Sequence, residues 1–474
     1  METISVKMSV LTDGAFEELK GAMEAVFSET GFVAKNETIL EKFEKEGGKV
    51  DYESMNVKLS PELLWELIGR APSSYTVRGV SGDSYEIGTG RQYYGAIVTD
   101  PFIADYPSGD MRKPCLDDVI RNTRIVQSRP DVYGASLMNY TVTDVDGPSS
   151  KYRAMEAHLL NFAKHIIVLP VSSKSYLEWM EIGRILLPGG KLEGSGLFTI
   201  GVPVLSPLTI TKDNCEMLLE NAKYGFPVMP TICPMAGSTS PYTYSGTLVQ
   251  SLAESFALLC VTQVLNPGHP FLTAFGASVT DMQTGRDLYY TVADKILWKM
   301  AKTEFAKRLG LPISVETGGA MNCRYDMQSG AEGMMMNLTA MMTGADVLAG
   351  AGSCLNANGL SPEFILSHYA FLDIAQHLKN GFSLSGLGKD LESIKAQGCG
   401  GHFLADDQTL EYLRSPQFFT PKLFDITGET GTGKTMLERA HEEAERIFND
   451  FVSPVPEEIA DALREHFDKI CAEL

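Results

Sequence analysis

Between residues 130 and 352 the chain alternates short apolar or β-branched runs with amphipathic stretches. The runs are "VYGASLMN", "HIIVLPV", "LFTIGVPVL", "FPVMPTICPM", "PFLTAFGAS", "LPISVETGG" and "ADVLAGAG". Between them lie segments such as "SYLEWMEIGRILL", "CEMLLENAKYG", "GTLVQSLAESFALLCVTQVL" and "DKILWKMAKTEFAKRLG", whose apolar residues recur at helical spacing. Seven β-α units predict a parallel sheet covered on both faces. An eighth closes a (β/α)8 TIM barrel, and two segments offer it: "QYYGAIV" ahead of the series or "IKAQGCGGHF" behind it. The run ends favour closure. Asn139, Ser206, Met235-Ala236-Gly237, Gly276-Ala277-Ser278, Gly318-Gly319 and Gly352-Ser353 are small or polar, and a barrel gathers such ends at one mouth. Taken singly, each is also an ordinary turn after a strand.

The flanks read differently. Residues 1–128 form an extension of helices and β-hairpins: "LTDGAFEELKGAMEAVFSETGF" and "SPELLWELIGRAP" carry helix start and stop signals, and "YTVRGVSGDSYEIGTGRQYYGAIVTDPF" reads as strands broken by Gly/Asp turns. Residues 129–405 are assigned to the barrel and 406–474 to C-terminal helices.

One motif speaks against this picture. "GETGTGKT", residues 428–435, matches G-x-x-x-x-G-K-[ST]. A P-loop needs a buried strand before it, further strands after it and an acidic residue for magnesium, whereas "PKLFDIT" precedes it and only helical sequence follows. The expectation is a Gly/Thr loop that caps a helix.

Composition narrows the function classes. The 474-residue chain is 44% hydrophobic and 21% charged, enough for a large core, and its net charge of −20 with no Lys/Arg-rich arm argues against nucleic acid or an anionic membrane as partner. The start "METISVKMSV" lacks a secretion signal, and the longest apolar run, "FALLCVTQVL", is too short to span a bilayer, so a soluble cytoplasmic protein is expected. Eight cysteines stand singly, with no C-x-x-C pair and no metal-ligand spacing. No metal site is expected.

The stretch from "VPVLSPLTI" through "PMAGSTSP" and "GTLVQSLAE" to "NPGHPF", with "DMQSGAEG", "MMTGADVLAGAG" and "GHFLADDQTLEYLRSPQFFTPKLFD", resembles the trimethylamine methyltransferase family. The resemblance covers almost the whole chain. It implies a (β/α)8 barrel that passes a methyl group from a methylated amine to a corrinoid held by a separate protein. No D-x-H-x-x-G is present to hold a corrinoid here, so no tightly bound cofactor is expected. The resemblance also implies that "GETGTGKT" fills a turn before a closing helix, without nucleotide.

The family's trimethylamine enzymes carry pyrrolysine at a barrel strand end that falls here at Gly318 or Gly319. Members without it resemble methyltransferases of quaternary amines such as glycine betaine, proline betaine or carnitine. Chemistry fits the substitution: a quaternary ammonium leaves as a neutral tertiary amine, so neither a covalent adduct nor a proton donor is needed. Two glycines are expected to leave room for the ammonium and the approaching corrin.

Such a site needs aromatic faces and a carboxylate around the cation. Tyr93, Tyr94, Asp100 and Phe102 are the cage candidates, against the alternative of an ordinary strand and turn. Asn139, Asn322 and Arg324 are candidates for the substrate carboxylate or corrinoid amides, or else solvated loop residues. Gln328 and Glu332, four apart on a predicted helix, are candidates beside a capping or supporting role. His368 follows the last strand on a helix, as a candidate ligand or a core histidine. The methionines of "GMMMNLTAMM" read as packing or as a soft apolar wall near a corrin. A homo-oligomer is expected. Two other classes stand beside this one. A barrel lyase needs a Schiff-base lysine or metal-binding carboxylates at strand ends, and none is read there; a betaine- or nucleotide-binding sensor needs no cobalt partner.

Overall fold

The strand-like runs pair side by side in a computed structural model that describes residues 2–98, 100–139, 141–274, 276–287, 291–413, 415, 418–428 and 433–474. The barrel strands are β1 (Tyr93–Ala96), β2 (Val132–Ala135), β3 (His165–Val168), β4 (Phe198–Pro203), β5 (Val228–Thr231), β6 (Thr273–Ala274), β7 (Ile313–Glu316) and β8 (Val347–Ala349). Their order is β5-β4-β3-β2-β1-β8-β7-β6, all parallel. A parallel bridge between Val228 and Phe271 joins the two ends, with the Leu272 amide donating to the Val228 carbonyl at 2.9 Å. The sheet therefore closes on itself, and "QYYGAIV" supplies the eighth strand. The first barrel strand thus precedes residue 129, where the barrel was expected to begin.

Each strand is followed by a helix: α1 (Leu116–Ser128), α2 (Ser149–Leu159), α3 (Ser173–Leu186), α4 (Lys212–Tyr224), α5 (Tyr244–Leu265), α6 (Val292–Arg308), α7 (Met327–Met342) and α8 (Pro362–Asn380). Beyond them come α9 (Leu387–Gln397), α10 (Asp407–Tyr412), α11 (Met436–Asp450) and α12 (Glu457–Ala472). By length and composition α5 is apolar enough to cross a membrane, contrary to the reading of its sequence, but 78% of its most apolar window is buried in the protein. It is apolar all round because the barrel covers one side, while helices Asp13–Ala25, Glu37–Lys45 and Pro61–Gly69 cover the other.

A strand buried on both faces alternates between the barrel lumen and the helix layer. Tyr93 points inward, where it joins Tyr133, Ile167, Met229, Leu272 and Val347 in one packed layer. Val77 and Ile87, from the hairpin Tyr75–Arg78/Ser84–Ile87, seal that layer at the N-terminal end of the barrel. Tyr94 points outward and stacks on Tyr369 of α8, with the Arg129 guanidinium about 5 Å from both rings. Neither tyrosine reaches the mouth, so the aromatic cage predicted from them is not formed.

Of the P-loop match, Glu429 to Thr432 lie outside the described residues. Thr435 is the N-cap of α11: its hydroxyl accepts from the Glu438 amide at 3.2 Å, and the Glu438 carboxylate accepts from the Thr435 amide at 2.7 Å. Lys434 pairs with Glu442 on the same helix at 2.7 Å. These are the contacts of a capped helix start.

Candidate active site

At the C-terminal ends of the strands the lumen opens into a cavity of about 450 Å3. Its walls are largely apolar, with Ile97, Leu169, Met229, Ile232 and Val315 among them, and its polar groups include Asp100, Glu316, Cys233 and Ser353. A small pocket of apolar walls with a few convergent polar groups is the usual form of a small-molecule site.

Glu316 is the last residue of β7, and α6 holds it in place. Lys295, in the first turn of α6, brings its ammonium to 3.0 Å from Glu316 Oε2. One turn on, Lys299 donates to the Glu316 carbonyl at 3.3 Å and to the Met336 carbonyl at 3.0 Å. Lys299 is wholly buried, and burial lowers its pKa to about 7. The two lysines grip the strand end by side chain and main chain.

Asp100 also lines the mouth, after β1, with only β8 between that strand and β7. It is buried, Oδ2 has no hydrogen-bond partner, and the Asn139 amide donates to its main-chain carbonyl at 2.8 Å. Burial raises its pKa to about 8, with the Glu316 charge adding to the rise and Ser353 and Lys295 opposing it. An unpartnered carboxyl oxygen in an otherwise apolar cavity is a place for a cation or a donor. Asp287, whose Oδ1 is also buried without a partner, is raised chiefly by burial while Lys295 draws it down. Cys233 opens onto the cavity with Sγ 3.6 Å from Ser278 Oγ; protein encloses the thiol on its other sides and raises its pKa to about 11. Acidic groups outnumber basic ones here.

Because Asp100 is protonated when folded up to about pH 8 but ionised when unfolded above about pH 4, stability falls as pH rises through that window. Asp100→Asn removes the titration. Between about pH 5.5 and 7.5 the wild type should lose about 2.5 kcal/mol relative to the variant, from ~1.36 kcal/mol per pH unit. Urea denaturation of both proteins at the two pH values checks this; parallel pH curves would contradict it.

Of the residues expected from sequence, Asp100 alone lines the cavity, and Asn139 braces it from behind. Phe102 lies on a strand paired with Gly359–Leu360, with the Lys113 ammonium 4.2 Å from its ring centroid. No aromatic side chain is among the described lining residues, which are mostly aliphatic with a few carboxyl and small polar groups. Asn322 uses Oδ1 to accept the Arg324 amide at 3.0 Å and the Ser329 hydroxyl, while Arg324 is exposed. Gln328 donates to Glu332 Oε1 at 2.9 Å, and Glu332 Oε2 accepts the Met321 amide at 2.8 Å. These groups fasten the loop after β7 to α7. His368 is a core histidine: it is buried, accepts the Gly352 amide at 2.9 Å through Nδ1, and burial depresses its pKa to about 4. Met336 and Met341 are buried packing of α7.

Gly318 and Gly319 are buried and do not border the cavity, because backbone already fills the space around them. A Cβ on Gly318 would stand 1.8 Å from the Gly350 carbonyl oxygen; on Gly319, with φ +97°, it would stand 2.6 Å from Glu316 Oε1. The glycines are demanded by close packing, and the expected open space is absent.

Glu316, Lys295, Cys233, Ser353 and Asp287 were not anticipated. Glu316 was legible as a carboxylate ending "ISVE" just before the glycine pair. It places a carboxylate at a strand end, where no metal-binding carboxylate was read, and no group of three potential metal ligands occurs among the described residues.

Residues 2–474 match the model of the family described as trimethylamine methyltransferase (MTTB). Among curated proteins, a glycine betaine methyltransferase of Desulfitobacterium hafniense is 26% identical over 477 residues, covering 97% of this chain and 96% of that protein. The trimethylamine methyltransferase MttB of Desulfitobacterium hafniense is 24% identical over 453 residues, 93% of this chain and 89% of the other. A proline betaine:corrinoid methyltransferase of Eubacterium limosum is 23% identical, covering 90% of each.

Proposed function

The chain belongs to the trimethylamine methyltransferase family, and from that premise we propose that it takes a methyl group from a quaternary amine and delivers it to the cobalt of a separate corrinoid protein. Betaines such as glycine betaine, proline betaine or carnitine are the substrate class, as the names of two relatives suggest. The observation that carries the reading is the mouth itself: an acidic, apolar-walled cavity beside two glycines that have no room for a longer side chain. An amine that requires covalent activation by such a side chain has no means of it here. A quaternary ammonium requires none.

The corrinoid supplies a reduced cobalt that attacks the methyl carbon; the Co–C bond forms as the C–N bond breaks, and the electron pair leaves on nitrogen as a neutral tertiary amine. This chain's residues bind and position. Glu316 and Asp100 meet the cation from neighbouring parts of the mouth, with only β8 between their strands, and Lys295 and Lys299 fix Glu316 in place. Leu169, Met229 and Ile232 exclude water and hold the amine to one approach line. At about 450 Å3 the cavity suits a small amine, so the macrocycle meets its substrate at the mouth, carried by its own protein. The setting we assign is the cytoplasm.

Ligand stabilisation tests the substrate class. A quaternary amine at a hundred times its Kd should stabilise the folded protein by about 2.7 kcal/mol, seen as a raised Tm. Trimethylamine at equal concentration should leave Tm unchanged; the reverse ranking would remove this reading.

A further inference from the structure

We propose that the described residues of segment 384–418, namely 384–413, 415 and 418, form an arm through which two copies of this chain dock. The chain leaves the barrel at the end of α8, where Phe382–Ser383 pairs with Thr3–Ile4, both strands being exposed. It comes back where Phe419 stacks on His377, in the last turns of that same helix, with ring centroids 5.0 Å apart. Between these points α9 and α10 bury no residue, and the Ser393 hydroxyl donates to Asp406 at 2.6 Å to tie the two limbs together.

The arm is apolar. Leu387, Leu391 and Ile394 form a stripe at helical spacing, 47–55% exposed, and Leu404, Leu413 and Phe418 are 76–87% exposed. A groove of about 580 Å3, lined in part by Ile394, Phe403, Leu413 and Phe418, runs between the limbs. An amphipathic helix gains its stability by burying that stripe, and among the described residues of α9 none is buried. Nine large apolar side chains among the described residues of the arm are 39–87% exposed, a concentration that suits the ~800 Å2 per partner of a standard specific interface.

Charge and position select the occupant. The whole chain carries −20, but the arm holds three basic against five acidic residues, so two copies meet there with little repulsion. The arm leaves and rejoins the barrel at the N-terminal end of its strands, since Lys379 at the foot of α8 contacts Gln92 just before β1. The cavity is at the other end. A corrinoid protein docked productively at the mouth does not cover the arm, whereas a second copy covers it by a two-fold, self-complementary pairing.

Analytical ultracentrifugation of the full chain tests this, with Leu391→Glu on α9 and Leu413→Glu after α10 as separate variants. The wild type should sediment as two or more chains at micromolar concentration. Each variant should shift to a single chain, with helical circular dichroism and amine-induced stabilisation unchanged. A wild type that stays a single chain at all concentrations, or variants that keep the wild-type mass, would overturn the proposal. So would a monomer whose arm is protected only on adding a corrinoid protein or anionic lipid vesicles.

Discussion

Glu316→Gln is expected to lower kcat/KM for the quaternary amine by about 100-fold, almost all of it in KM. Glu316 lines the cavity together with Asp100, whose own carboxyl burial raises to a pKa of about 8. Two unit charges about 4 Å apart attract by ~4 kcal/mol at the effective dielectric of such a site, so losing one is worth two to three powers of ten in binding. The effect falls on KM because the amine is fully cationic in the ground state and loses its charge as the C–N bond breaks, so Glu316 stabilises the bound substrate at least as much as the transition state. The variant also leaves the Lys295 ammonium with one negative charge fewer beside it. Lys295→Met should therefore shift KM the opposite way, and the double variant should recover part of the loss. Steady-state kinetics on the three variants checks the signs; a Glu316→Gln enzyme with unchanged KM would show that the cation is bound elsewhere.

Gly318→Ala should destabilise the fold by about 3–5 kcal/mol, the range of severe core disruption. The new Cβ would meet the Gly350 carbonyl oxygen at 1.8 Å, a separation that real Cβ atoms do not show, and the obstacle is backbone that no rotamer change relieves. That backbone is pinned: Gly350 and Gly352 have φ of +91° and +93°, the Gly319 amide donates to the Ser353 carbonyl at 2.9 Å, and His368 holds the Gly352 amide. Moving it displaces Ser353 and the floor beneath Glu316. Gly330→Ala is the matched control: it lies in α7 with nothing within 4 Å of its new methyl, and should stabilise by up to ~1 kcal/mol through helix propensity. Urea denaturation of both variants checks the contrast; equal unfolding free energies for Gly318→Ala and wild type would mean that the strand-end packing is looser than described.

The barrel was readable because parallel strands covered on both faces are near-continuous apolar runs, and seven of the eight stood out as such. The eighth, Tyr93–Ala96, was ambiguous because its pair of tyrosines reads equally well as a cage; in a barrel strand, neighbours go to opposite sides, one into the lumen and one under α8. Asp100 was singled out as the carboxylate a cation site needs beside the aromatic residues of "QYYGAIVTDPF". Glu316 was missed because its meaning depends on Lys295, which is 21 residues earlier and reaches it only after α6 folds back. The glycine pair was expected to leave open space, but sequence shows only the absence of a side chain, and packing shows the carbonyl that excludes one. The P-loop match failed for lack of context, and Thr435 turned out to serve its helix.

The most direct test of the whole account is a visible spectrum. Protein, reduced corrinoid protein and glycine betaine, proline betaine, carnitine or trimethylamine are mixed without oxygen, and the conversion of cob(I) to methyl-cobalt is followed together with the released amine. The account predicts methyl-cobalt from at least one quaternary amine, one equivalent of tertiary amine for each methyl transferred, and no methyl-cobalt from trimethylamine. Methylation from trimethylamine alone, or none from any quaternary amine, would contradict it.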